Sequence, residues 1–476
     1  MPHAQFERGS ATMSRHAPRR VEDFRCPGDG HPHMRIAQLS LHTSPLAPLG
    51  GRETGGMNVY VLELSRELAD MGHTVDIFTR RDGDLPRIER VAPNLRLVRI
   101  DAGPAEPLEK ESLYRFLPQF VRSMHAFFEE QGHAYDVLHS HYWQSGRAGV
   151  LLARELGIPH VTMFHTLGEV KNRARISEEE PTLRIRHERT IARRADAIIT
   201  ASAHERGLLS RYYGANEAHM FTVPCGVDLE LFQPRDRVES RKKLGIDLDR
   251  PALLWVGRLE KLKGVDILID AVAQLDECDA QLLIVGGDDR AGALKAELLA
   301  QALDAGIAEN VRFVGAVAHD ELPAWYSAAD VCVVPSYYES FGLVAVEAMA
   351  CGTPVIASRV GGLTSTVSDG ETGYLIPWRC PEPFAEKLEV LLHNPELRGN
   401  FSRAAVRSVE RFRWSKVAAD VANVYESVLA EYAEHHASAD KGTTAVPRRR
   451  RPEITRRSRE RGSTPEGTQP ALPIGS

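Results

Sequence analysis

A chain of 476 residues is too long for one ordinary core and points to two or three domains. Hydrophobic residues at 43% and charged residues at 26% are the proportions of a globular protein, and a net charge of −6 argues against a nucleic-acid-binding body. The six cysteines (Cys26, Cys225, Cys278, Cys332, Cys351 and Cys380) form no C-x-x-C pair, so neither a zinc site nor a disulfide framework is expected.

Residues 1–33 are rich in His, Pro, Arg and Gly, lack the apolar run of a signal peptide, and read as a disordered extension. From Met34, short apolar runs alternate with longer amphipathic ones. RIAQLSL (35–41), TVDIFT (74–79), LRLVRI (95–100), DVLHSH (136–141), HVTMFH (160–165) and AIITAS (197–202) are predicted strands. They are continuous rather than alternating, as parallel strands covered on both faces are. MNVYVLELSRELADMG, a stretch around 109–131 and PTLRIRHERTIARR carry the helical period between them. After a polar join a second series follows: ALLWVG (252–257), QLLIVGG (281–287), VRFVG (311–315), DVCVVPS (330–336), PVIAS (354–358) and GYLIP (373–377). The expected architecture is α/β, with two doubly wound Rossmann-like domains, 34–235 and 236–412, around a cleft. Residues 413–436 form a helix that either crosses back to the first domain or simply ends the second. Residues 437–476 are Arg-, Pro- and Ser-rich and read as a disordered basic tail. No stretch approaches the roughly 18 apolar residues of a membrane span, and a cytoplasmic location is the expectation.

Three segments carry chemistry. In LGGRETGGMNVYV, Gly50, Gly51, Gly55 and Gly56 open the first helix, where glycine lets a phosphate approach unpaired helix amides. A plain turn has the same composition, and the G-x-G-x-x-G of dinucleotide folds is absent. In WVGRLEKLKG, Arg258 and Lys263 follow a strand end, where two cations suit a departing diphosphate or merely decorate a loop. In PSYYESFGLVAVEAMACGTPVIAS, Glu339 precedes a turn and Glu347 lies on the following helix; both can border one cleft, with the amides of Phe341, Gly342 and Leu343 free for phosphate oxygens. Glu347 sits among Val344, Ala345, Val346, Ala348 and Met349, and so needs a partner. His139, His141 and His165 end strands and present side chains to the cleft more readily than they form a metal site.

At these residues the chain resembles a known family. GRLEKLKG together with ESFGLVAVEAMACGTPVIAS is similar to retaining GT-B glycosyltransferases, the group that includes sucrose-phosphate synthases. LSLHTSPLAPLGGRETGGMNVYV, DVLHSHYWQSG, HTLGEVKN and ASRVGGL add a resemblance to the D-inositol-3-phosphate glycosyltransferases. Those enzymes use UDP-N-acetylglucosamine in the first committed step of mycothiol synthesis. The resemblance covers residues 34 to 435.

What it implies is a UDP-sugar donor, a small phosphorylated acceptor, and no metal or other cofactor. Arg258 and Lys263 would bind the diphosphate, Glu339 the sugar's 3- and 4-hydroxyls, and Glu347 the ribose. His165 would meet the 6-hydroxyl or the reacting face, Gly56 the diphosphate, and Asn58 the sugars, with Ser340, Phe341, Gly342 and Leu343 completing the donor site. Lys110, Tyr142, Thr166 and Arg184 would hold the acceptor's phosphate. Retention would proceed on the front face, the leaving phosphate itself taking the acceptor proton. Competing expectations are a sucrose-phosphate-synthase-like transfer to fructose 6-phosphate, a neutral sugar or lipid acceptor, and an inactive nucleotide-sugar-binding module. A homodimer is left open.

Overall fold

The computed structural model describes residues 33–47, 55–132, 134–174, 179–275, 279–287, 292–377 and 379–441. Residues 1–32, Gly50 and Gly51 of the glycine-rich loop, Cys278 and the tail after 441 lie outside them.

The first sheet contains β1 (Arg35–Leu39), β2 (Thr74–Arg80), β3 (Ile88–Ala92), β4 (Leu95–Ile100), β5 (Val137–His141), β6 (His160–Met163), β7 (Ala197–Thr200) and β8 (Met220–Thr222). Their spatial order is β3-β4-β2-β1-β5-β6-β7-β8, and only β3 runs antiparallel to its neighbour. The second sheet contains β9 (Ala252–Val256), β10 (Gln281–Val285), β11 (Val311–Gly315), β12 (Val331–Val334), β13 (Val355–Ser358) and β14 (Gly373–Ile376). Its order, β11-β10-β9-β12-β13-β14, is parallel throughout. In each sheet the chain starts near the middle, works outward to one edge, then returns to fill the other. A crevice therefore opens beyond the carboxyl ends of β1 and β5, and of β9 and β12.

Helices cover both faces, which is why these strands are apolar on both sides: Val75, Ile77 and Phe78 are all inaccessible to solvent, as are Leu253 and Leu254. The helix Trp414–Lys441 buries Val417, Ala418, Val421, Ala422, Tyr425 and Val428 at helical spacing. It lies against the first sheet, where the Tyr425 hydroxyl is 2.7 Å from His139 Nδ1 and 3.3 Å from Gln38 Nε2. The chain thus passes between the halves twice, side by side: the Val227 amide donates to the Phe412 carbonyl at 2.8 Å. Gly226 lies flush against the Trp414 indole, and a Cβ there would overlap the ring. Both sheets belong to one compact unit ending at Ala433.

Candidate active site

The first sheet brings its strand ends together as a wall of aromatic and imidazole rings. His141 ends β5, and His165 follows β6; their rings meet through a 3.0 Å contact between His141 Nδ1 and His165 Nε2. His141 Nε2 donates to Gln38 Oε1 at 2.6 Å, so both of its nitrogens are engaged within the protein rather than offered to a metal. The Tyr60 ring packs edge-on against both imidazoles at 5.2–5.8 Å. Tyr142 and His165 hold positive φ angles of 72° and 60°. Left-handed backbone is strained for bulky residues and concentrates at functional sites. Burial lowers the proton affinity of His139 and His141 well below the imidazole range, and brings His165 to about 3. All three are neutral at physiological pH.

The second sheet supplies charge. Lys263 Nζ donates to Glu339 Oε2 at 2.6 Å, joining the two loops that the sequence singled out. The junction is built from glycine. Gly264 (φ +68°) lies so close to the Pro335 carbonyl that a Cβ would overlap it, and the Tyr337 amide donates to the Leu262 carbonyl at 2.9 Å. Gly361 and Gly362 press in the same way on the Glu339 and Ser340 carbonyls. Arg258 is half-exposed and pairs with Glu260 at 2.7 Å. Gly342, at φ +97°, is the N-cap of the helix Leu343–Ala350, whose first amides have no partner within the helix. Glu347 finds its partners on its own half. Its carboxylate accepts from the Tyr326 hydroxyl at 2.7 Å and meets His319 Nε2 at 3.4 Å, which are the partners its apolar surroundings demand. A cavity of about 410 Å³ opens beside it, lined by Leu46, Val59, Glu63, His319 and Leu343. The halves approach closely: a Cβ on Gly56 would lie 2.7 Å from Leu343 Cδ1.

The four acceptor candidates converge, but not all as expected. The Arg184 guanidinium lies 4.9 Å from the Tyr142 ring centre and donates to the Thr166 hydroxyl and carbonyl, each at 3.0 Å. It also pairs with Glu188 at 2.7 Å and Glu180 at 2.9 Å, and its side chain is only 2% exposed. Arg184 is thus a buried brace for Thr166 rather than an open cation. Lys110, 29% exposed, is the more accessible one. His42, unremarked in the sequence, is at the centre: its ring is 4.5 Å from Tyr142, and burial plus the charges of Lys110 and Arg184 lower its pKa to about 3. Its place just past β1 is the signal that would have found it. Asn58 departs from expectation. It is 1% exposed; its Oδ1 accepts from the Gly55 amide at 3.1 Å, and its Nδ2 donates to Thr43 Oγ1 and the Ser44 carbonyl. It ties the loop after β1 to the first helix and faces inward, because a buried amide must be satisfied.

Two sheets in this order, with basic loops at their facing carboxyl ends, define a GT-B glycosyltransferase, and the comparisons agree. Residues 54–231 match the model "Glycosyltransferase Family 4", and residues 236–408 match "Glycosyl transferases group 1". The chain is 43% identical over 413 residues to "D-inositol 3-phosphate glycosyltransferase 2" of Catenulispora acidiphila, covering 83% of this chain and 96% of the relative. It is 42% identical to the D-inositol 3-phosphate glycosyltransferase of Streptomyces bingchenggensis, over 85% and 91% of the two chains. Among solved structures, a sucrose-phosphate synthase from Thermosynechococcus elongatus superposes with a TM-score of 0.78 at 37% identity, over 84% and 100% of the two chains. The protein belongs to this family of GT-B glycosyltransferases, the one that holds the D-inositol 3-phosphate glycosyltransferases. No helix among the described residues is long and apolar enough to cross a membrane.

Proposed function

We propose that the protein is a cytoplasmic enzyme that transfers N-acetylglucosamine or glucose, with retention, from a UDP-sugar to a phosphorylated polyol or sugar such as D-inositol 3-phosphate. The observation that carries this reading is the grouping of Lys110, Tyr142, Thr166 and Arg184 around His42, beyond the carboxyl ends of the first sheet. The 40%-class identity to D-inositol 3-phosphate glycosyltransferases supports the same acceptor.

In this reading the Lys263–Glu339 pair opens when donor binds. Lys263 and Arg258 turn to the diphosphate, while Glu339 accepts hydrogen bonds from sugar hydroxyls. As the bond from the anomeric carbon to the phosphate oxygen breaks, the acceptor hydroxyl oxygen attacks the same face. Its proton passes to the departing β-phosphate oxygen, and the two cations hold the charge that develops there. With that charge met by side chains, transfer needs no divalent metal. Activity is expected to survive dialysis against EDTA, and recovery only on adding magnesium or manganese would overturn this scheme.

A donor-by-acceptor screen read by mass spectrometry tests the substrates, with each acceptor offered with and without its phosphate. NMR of the product's anomeric proton tests retention. The likeness to a sucrose-phosphate synthase favours fructose 6-phosphate as the second acceptor to try. A parent with no preference for phosphate is instead an enzyme for a neutral sugar or lipid, and one with no transfer at all is a binding module.

A further inference from the structure

The roles considered so far leave unexplained why so many polar side chains are buried behind His165. His139, His141 and Gln38 are fully inaccessible to solvent, and with Tyr425 they form one hydrogen-bonded chain. An amide oxygen only accepts, so His141 Nε2 carries the proton in its 2.6 Å bond to Gln38 Oε1. A neutral His141 then has only a lone pair at Nδ1, and the partner nitrogen 3.0 Å away, His165 Nε2, must be the donor. The amide's other end donates to the Tyr425 hydroxyl, which in turn donates to His139 Nδ1. Every donor in the chain points the same way.

His165 therefore has its proton on Nε2. Its remaining nitrogen, Nδ1, makes no hydrogen bond among the described residues, and the residue is only partly buried. The positive φ of His165 turns the residue out of β6 toward the cleft, where it neighbours His42 and Tyr60.

We propose that Gln38 and His141 are positioning residues that hold His165 in its Nε2–H tautomer, so that Nδ1 accepts a hydrogen bond from a substrate hydroxyl. This rests on the strand-end cleft being the transfer site. Tyr425 fixes the far end of the chain, which makes the helix that crosses back to the first sheet part of the site's support. The reversed amide orientation would reverse each donor and leave His165 presenting an N–H.

The tautomer is measurable without substrate, so an error in the acceptor does not affect the result. In protein labelled with ¹⁵N-histidine, long-range ¹H–¹⁵N correlation reports which ring nitrogen is protonated; the His165 signal is the one lost in His165→Asn. The parent is expected to show Nε2–H, and Gln38→Met a mixture of tautomers. Misdirecting one hydrogen bond is expected to lower kcat roughly 10- to 100-fold, with the donor's KM little changed. His141→Phe, which removes the acceptor for Nε2–H, should behave likewise, and His141→Gln, which restores one, should recover part of the rate. Thermal unfolding of each variant separates these effects from loss of fold. An Nδ1–H tautomer in the parent overturns the proposal. So does a folded Gln38→Met protein with the parent's tautomer and kcat.

Discussion

Lys263 and Glu339 are 76 residues apart, yet they form a 2.6 Å ion pair with both side chains partly open to the cleft. If Lys263 stabilises the leaving diphosphate, Lys263→Ala should cost about 2.7–4 kcal/mol of barrier, roughly 100- to 1000-fold in kcat at saturating donor. A near-normal kcat with a raised KM would leave it only a ground-state binding role. Lys110 and Arg184 should separate by experiment although both are cations of the acceptor group. Removing Arg184 leaves the wholly buried Glu188 without its cation, held by the Gly168 amide and the Tyr213 hydroxyl, and frees Thr166; Arg184→Ala is expected to lose about 3–5 kcal/mol of stability along with activity. Lys110→Ala should leave the unfolding midpoint within a degree or two of the parent's. It should instead weaken use of a phosphorylated acceptor about 10-fold or more, from the loss of one charge-assisted contact. Equal losses of stability in the two variants would contradict this division.

At the scale of elements, the charged loops are placed by glycines that let backbones touch. Gly264 needs its left-handed φ of +68° and lies against the Pro335 carbonyl, so Gly264→Ala adds both strain and overlap. Strain alone costs about 1–2 kcal/mol. The loop carrying Lys263 should shift relative to the one carrying Glu339, lowering kcat as well as the midpoint of thermal unfolding. Calorimetry and turnover measured together test this, and a variant as active as the parent would show that the loop junction is not needed. The strand and helix pattern was legible from residue order because each buried strand is a continuous apolar run. The edge strands β3 and β8 were not: β3 is half-exposed and β8 has only three residues, too little to show a period.

Over the whole molecule, acid should destabilise the fold. His42, His139, His141, His160 and His165 all have lowered pKa values, each mainly through burial. Below the unfolded value of about 6.5 the unfolded chain takes up protons that the folded one refuses. Their contribution is therefore complete above that pH and lost on descent toward about 3, the value reached by His42, His160 and His165. Four groups act oppositely. Burial raises Glu63 and Glu67 and pushes Glu205 up to about 7, while against burial the hydrogen bond and charge of Glu347, together with the charges of Glu63 and Asp228, raise His319. Each contributes stability that is lost as pH rises. His187 and His204 are lowered by burial as the other five imidazoles are. Seven histidines that titrate at about 6.5 when unfolded outweigh these four, so the unfolding midpoint is expected to fall steadily between pH 7 and pH 5. A midpoint that rises on acidification would contradict the buried neutral imidazoles.

Residue order by itself determined the two α/β halves and the glycine-bounded loops at their strand ends, since apolar runs and turn residues are local signals, while GRLEKLKG and ESFG were joined only by their resemblance to known glycosyltransferases. Only the tertiary structure decided which polar groups are satisfied by one another. It turned Asn58 inward to hold Thr43 and Ser44, committed Arg184 to Glu180 and Glu188, gave Glu347 its partners Tyr326 and His319, and placed Tyr425 behind β5. A buried donor takes whichever acceptor the fold brings within about 3 Å. That distance is set by how helices and sheets pack, between residues as far apart as His139 and Tyr425, and no spacing along the chain encodes it.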